Sequence, residues 1–188
     1  MKDSLRLFIA IDFPPSVKRQ IGHLIGKLAK NYPQVRWERE KNLHLTLKFL
    51  GWSRSKIEEI IQGMERSVDG VKPFWLEPER LGFFLRQNMI IWLGLKSQEG
   101  LFKIVENLEN EMAKLGFPRG NRPFSAHITL GRRKKTRPGI DCQKIAKEIA
   151  DFKTSGIESV KAGEIVLMKS QLTPKGSIYS EIRKVSFL

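Results

Sequence analysis

Two stretches of this chain repeat one another: Leu43-His-Leu-Thr-Leu47 and Ala126-His-Ile-Thr-Leu130, with His44 and His127 separated by 83 positions. Each alternates polar and apolar residues, the period of a strand with one buried face. His44 then shares a face with Thr46, and His127 shares one with Thr129. Leu43, Leu45, Leu47 and Phe49 turn inward on the first strand, as do Ala126, Ile128 and Leu130 on the second. A fold that relates these strands by approximate twofold symmetry sets the two imidazoles facing one another across a cleft.

The remaining pattern supplies the frame. Leu5 to Asp12 is a short apolar strand bounded by Pro14 and Pro15. Val17, Ile21, Leu24, Ile25 and Leu28 recur at helical spacing, with Ser16 near the start and Pro33 beyond the end. Further helices are expected around Ile57 to Met64, Leu101 to Leu115 and Ile145 to Phe152. Strands are expected at Val35 to Trp37, Leu43 to Leu50 (closed by Gly51), Phe74 to Leu85, Met89 to Leu95, Phe124 to Leu130, Ala162 to Ser170 and Ser177 to Phe187. Most connections between neighbouring strands are too short for a parallel crossover, so the class is α+β with antiparallel sheets. The length of 188 residues fits a single domain or two small intertwined lobes.

Two facing imidazoles suit phosphodiester cleavage. A neutral imidazole takes a proton from attacking water while an imidazolium gives one to the leaving oxygen, and histidine titrates near neutrality for both roles. The hydroxyls of Thr46 and Thr129 can bond the non-bridging oxygens, where charge develops. Arg132 can add a charge-assisted bond, but simple alternation puts it on the opposite face from His127. A bulge at Gly131 would correct that parity. Lys48 shares the His44 face and either approaches phosphate or sits solvated at the strand end. Phe83, Phe84 and Trp52 are either core residues or platforms for a base. One motif alone reads more simply as a structural histidine beside a good strand former, and it is the recurrence that favours chemistry.

Other classes fall away. His23 lacks a threonine partner and reads as a helix-surface residue. The one cysteine, Cys142, forms no internal disulfide, and no histidine pair stands at ligand spacing, which argues against a structural zinc site. There is no phosphate loop, and Gly63, Gly70 and Gly82 read as turn residues. No apolar run approaches a membrane span and the first residues lack a signal-peptide layout, so a cytoplasmic protein without membrane contact is expected. The 34 lysines and arginines outnumber 20 acidic residues for a net charge of +14, spread over both halves. Arg132, Arg133, Lys134, Lys135 and Arg137 form the only dense cluster, placed by its position at the cleft mouth.

Arg6-Leu-Phe-Ile-Ala-Ile-Asp12, Asn42-Leu-His-Leu-Thr-Leu-Lys-Phe-Leu-Gly51, Trp92-Leu-Gly94 and Arg122-Pro-Phe-Ser-Ala-His-Ile-Thr-Leu-Gly-Arg132 together resemble the RNA 2',3'-cyclic phosphodiesterases, formerly 2'-5' RNA ligases, of the two-histidine phosphoesterase superfamily. The resemblance spans nearly the whole chain and departs at Ala126, where members often have proline. It implies a bilobal α+β fold: two pseudo-symmetric lobes of antiparallel sheet, helices outside and a central cleft, forming one catalytic domain over residues 1–188. It also implies cofactor-free, metal-independent opening of a terminal 2',3'-cyclic phosphate on RNA to a 2'-phosphomonoester. On that basis His44 is the proton donor, His127 the proton acceptor, and Thr46, Thr129 and Arg132 the phosphate ligands. The motif symmetry alone leaves the acid and base unassigned. A monomer is expected. Reversible joining of RNA ends through 2'-5' linkages and non-catalytic binding of RNA by the basic surface are the alternatives.

Overall fold

The computed structural model describes residues 4–54, 56–85, 88–96, 98–134, 142–150, 152, 154, 156–174 and 176–187. The elements run β1 (Ser4–Asp12), α1 (Pro15–Asn31), β2 (Arg36–Trp37), a 3-10 turn (Glu40–Asn42), β3 (His44–Arg54), α2 (Ile57–Val68), β4 (Phe74–Leu76), β5 (Pro78–Leu85), β6 (Asn88–Leu95), α3 (Glu99–Lys114), β7 (His127–Lys134), α4 (Cys142–Ala150), β8 (Val160–Ala162), β9 (Glu164–Thr173) and β10 (Gly176–Ser186).

Seven strands form an antiparallel path in the order β10-β9-β1-β3-β7-β6-β5, with β2 paired to β7. β4 and β8 make a separate small ribbon, so the expected strand from Phe74 to Leu85 divides at Glu77. The main sheet narrows at its centre. β3 meets β7 through one backbone pair, Leu45 opposite Ile128, and this junction separates the two lobes.

The helices cover one face. Val17, Ile21, Leu24, Ile25 and Leu28 of α1 are all buried, as their spacing requires. α1 approaches α4 at its end, where the Tyr32 hydroxyl donates to Glu148 Oε2 at 3.0 Å. α2 and α3 pack together beneath the other lobe. Gly63 is therefore no turn residue: it lies inside α2, and a Cβ there would stand 2.7 Å from Met112 of α3. The main core is continuous across both lobes and includes Leu45, Leu47, Ile128 and Leu130. On the opposite face a small cluster of Phe8, Ala10, Val166 and Met168 packs against Tyr179.

β3 does not end at Gly51. Relative to β1 it carries two bulges, one at Leu47 and one at Leu50, and runs on to Arg54 with Gly51 at φ +72°. Each bulge inserts one residue and reverses the parity of everything after it. Phe49, expected inside, is thus 67% exposed, while Lys48, expected beside His44, is 4% exposed on the helix face. There its ammonium donates to Glu109 Oε2 at 2.6 Å and to the Pro118 carbonyl at 2.7 Å. Burying that charge requires those partners and rules out phosphate contact by Lys48.

Candidate active site

The junction pair generates the site. Leu45 and Ile128 stand 83 positions apart, the same offset that relates His44 to His127 and Thr46 to Thr129. The pair therefore lies on the pseudo-twofold axis. Continued in antiparallel register, it sets His44 against Thr129 and Thr46 against His127, with all four side chains on one face because cross-strand partners point the same way. Leu45 and Ile128, buried on the other face, anchor the arrangement.

The repeat extends to the backbone. His44 Nδ1 lies 2.6 Å from the Asn42 carbonyl, and His127 Nδ1 lies 2.7 Å from the Ser125 carbonyl, again an offset of 83. A carbonyl only accepts, so each Nδ1 carries its proton and each neutral ring presents an unprotonated Nε2 to the site. The His44 Nε2 stands 2.9 Å from Thr46 Oγ1, which donates to it while the ring is neutral. Asn42 also anchors β10, its Nδ2 donating to the Ser177 carbonyl at 3.0 Å.

The bulge recurs as well. β7 slips by one residue against β6 at Leu130, the counterpart of Leu47 on β3. That slip returns Arg132 to the face of His127 and Thr129. Gly131 contributes space rather than an unusual φ, since a Cβ would meet Trp37 and Val35 at 2.8 Å. Arg132 Nε faces Glu38 Oε1 at 3.4 Å. Its neighbour Arg133 is buried, so the basic cluster does not stand as one exposed patch. Lys135 and Arg137 lie outside the described residues, as does the Lys134 side chain.

Aromatic rings wall each imidazole. Phe8 and Tyr179 lie 4.9 and 5.2 Å from the His44 ring. Phe84 and Trp92 lie 5.2 and 6.2 Å from the His127 ring. Gly82 is a strand residue opposite Trp92, whose indole covers it so closely that a Cβ would come within 2.2 Å. Phe83 packs on the core, whereas Phe84 belongs to the site. His23 is exposed on α1 beside a cavity of about 460 Å³ shared with Gln20, Lys27 and Phe152, which neither His44 nor His127 lines.

Burial holds both imidazoles below the ordinary histidine value, and the Nδ1–carbonyl bond of each opposes that shift. The charged neighbours then separate them. Asp12, directly across β1 from His44, and Glu38 favour the protonated His44 ring, with Lys18 opposing. Arg132 disfavours protonation of His127. Asp12, Glu38 and Tyr179 are not legible in the sequence because strand register, not spacing, brings them here.

Residues 13–173 match the model of the 2'-5' RNA ligase superfamily. A Thermotoga maritima protein named RNA 2',3'-cyclic phosphodiesterase is 37% identical over 97% of this chain and 96% of its own length. One of the same name from Escherichia coli is 35% identical over 70% of this chain and 74% of its own. The crystal structure of E. coli LigT in apo form superposes with a TM-score of 0.77 at 27% identity, covering 99% of both chains, and that of LigT complexed with 3'-AMP gives 0.78. With its duplicated His-x-Thr strands joined on a pseudo-twofold axis, the chain belongs to the 2'-5' RNA ligase superfamily.

Proposed function

We propose that this protein hydrolyses terminal 2',3'-cyclic phosphates on RNA to 2'-phosphomonoesters, with both lobes forming one catalytic unit. The observation that carries the reading is the symmetric pair of imidazoles, each held through Nδ1 by a backbone carbonyl and each offering Nε2 to the same face. The relatives named RNA 2',3'-cyclic phosphodiesterase support the substrate class.

Water attacks phosphorus and gives a proton to His127 Nε2 as the new P–O bond forms. The P–O3' bond breaks, and His44 Nε2–H delivers its proton to the departing 3' oxygen. Phosphate stays on O2', and solvent exchange resets both rings. The carboxylates of Asp12 and Glu38 support protonated His44 as the acid, and the Arg132 cation supports neutral His127 as the base. The hydroxyls of Thr46 and Thr129, with the Arg132 guanidinium, bind the non-bridging oxygens as their charge grows. Neither proton transfer calls for a metal.

The test is product analysis on an oligonucleotide ending in 2',3'-cyclic phosphate, with EDTA present. A 2'-phosphate end is expected, together with loss of turnover in His44→Ala and in His127→Ala. Turnover surviving in both single variants would end the proposal, and salt-dependent RNA binding without turnover would leave only a binding protein. The same atoms accept an RNA 5'-hydroxyl in place of water, giving a 2'-5' linkage, and this joining is expected to be weak beside hydrolysis. A cytoplasmic monomer completes the reading, with sedimentation as the check on the monomer.

A further inference from the structure

β3 does not stop at the site. Beyond Thr46 it continues for eight residues, and its two bulges keep turning aromatic side chains onto the imidazole face. Phe49 lies across from Phe8 on that face. By simple alternation Trp52 would point the opposite way from Phe49. The bulge at Leu50, with Gly51 at φ +72°, restores it to the same side, where it is 66% exposed. A bulge forfeits ladder pairing and leaves a large ring in water, which core packing does not explain.

The electrostatics of this stretch fit a polyanion. Trp52 pairs across the strands with Arg6. Outward from the histidine, the described side chains that β1 and β3 turn to this face are Thr46, Ala10, Phe8, Arg6, Phe49 and Trp52, with no carboxylate among them, and Glu181 of β10 lies on the same face beyond β9. The acid of this face on β1, Asp12, stands at the other end beside His44 and is paired with Lys18 at 2.6 Å. Trp52 lies roughly 15 Å along the strand from Thr46, a reach of a few nucleotides of extended chain.

We infer that Trp52 and Arg6 form a subsite for the single-stranded RNA just upstream of the reacting end, Trp52 stacking on a base and Arg6 meeting the backbone. The inference rests on the phosphodiesterase reading and gives it a preference for oligonucleotides over mononucleotides. Stacking on an aromatic ring tolerates any base, so the preference is for length rather than sequence.

The test compares kcat/KM for cyclic-phosphate substrates of one, two, four and eight nucleotides. In the native protein the value rises over the first few nucleotides and then levels. Trp52→Ala loses on the order of tenfold on the longer substrates, leaves the mononucleotide within about twofold, and Trp52→Phe keeps most of the gain. A native enzyme indifferent to length, or a Trp52→Ala loss equal on mononucleotide and octanucleotide, overturns the subsite. So does a change of sedimentation in Trp52→Ala with the length dependence intact, since the ring then meets protein. Fluorescence separates this inference from the reaction it rests on. Quenching by a 2'-phosphate octanucleotide that is lost in Trp52→Phe supports the subsite even if turnover fails, and quenching unchanged in Trp52→Phe counts against it.

Discussion

Among the described residues, Leu45 and Ile128 form the one backbone pair between β3 and β7, where the two lobes meet, and this pair lies on the axis relating His44 to His127. The separation of the imidazoles is therefore set by two buried aliphatic side chains on the far face of the same strands. Truncating Ile128 to Ala should cost about 2–5 kcal/mol in denaturant unfolding. It should also lower kcat, because the cavity opens beneath the junction. Ile128→Val, which removes one methylene, should cost about 1 kcal/mol and leave kcat close to native. Equal kcat in the two variants would show that the junction does not position the site.

The charge pattern predicts a pH profile. In the proposed mechanism turnover needs His127 neutral and His44 protonated, so kcat/KM should rise as pH climbs through the His127 pKa and fall as it passes that of His44. Burial lowers both from the usual 6.5, placing the optimum on the acid side of that value. Asp12→Asn removes a carboxylate that raises His44, so the falling limb moves to lower pH. Arg132→Ala removes a cation that lowers His127, so the rising limb moves to higher pH. Each variant narrows the bell from its own side, and a bell unmoved by both would dismiss these charges as tuning groups.

Gly82 tests the wall around His127. The Trp92 indole lies where a side chain at this position would go, and an alanine methyl would stand 2.2 Å from the ring. The indole must tilt toward Phe84 and His127, which it already touches. Gly82→Ala should cost about 1–3 kcal/mol by thermal unfolding and reduce kcat more than KM. The fall should be partly relieved by adding Trp92→Phe, whose smaller ring leaves room. No relief in the double variant would place the defect elsewhere.

Much of this arrangement was legible in the sequence, for reasons particular residues make plain. The helix stripes and the His-x-Thr alternation are local periodicities, and α1 and the start of β3 follow them closely. Parity was legible only up to the first bulge. Beyond Leu47, Lys48 and Phe49 exchanged faces, and nothing in residues 47–50 announces a slip that depends on pairing with β1. The same device at Leu130 was foreseen only because Arg132 otherwise faced the wrong way. Asp12, Glu38 and Tyr179 reach the site through long-range register, which no spacing within one segment encodes.

Lys48, diverted from the site, is predicted to act on it from behind. Its ammonium bridges Glu109 of α3 and the Pro118 carbonyl, while Glu109 Oε2 also accepts from the Gly120 amide at 3.0 Å. This network, buried at its Lys48 end, ties β3, two residues past Thr46, to the connection that leads into His127. Removing only the cation in Lys48→Met strands the Glu109 carboxylate, which is 22% exposed, at a cost of about 3 kcal/mol. Adding Glu109→Leu removes the stranded charge, and the double variant should recover most of the stability. It should not recover kcat, because the Pro118 and Gly120 backbone groups remain untied and the approach to His127 loses its tether. Denaturant unfolding and kcat measured on the same three proteins therefore separate stability from positioning, and a double variant with native kcat would show that the network serves stability alone.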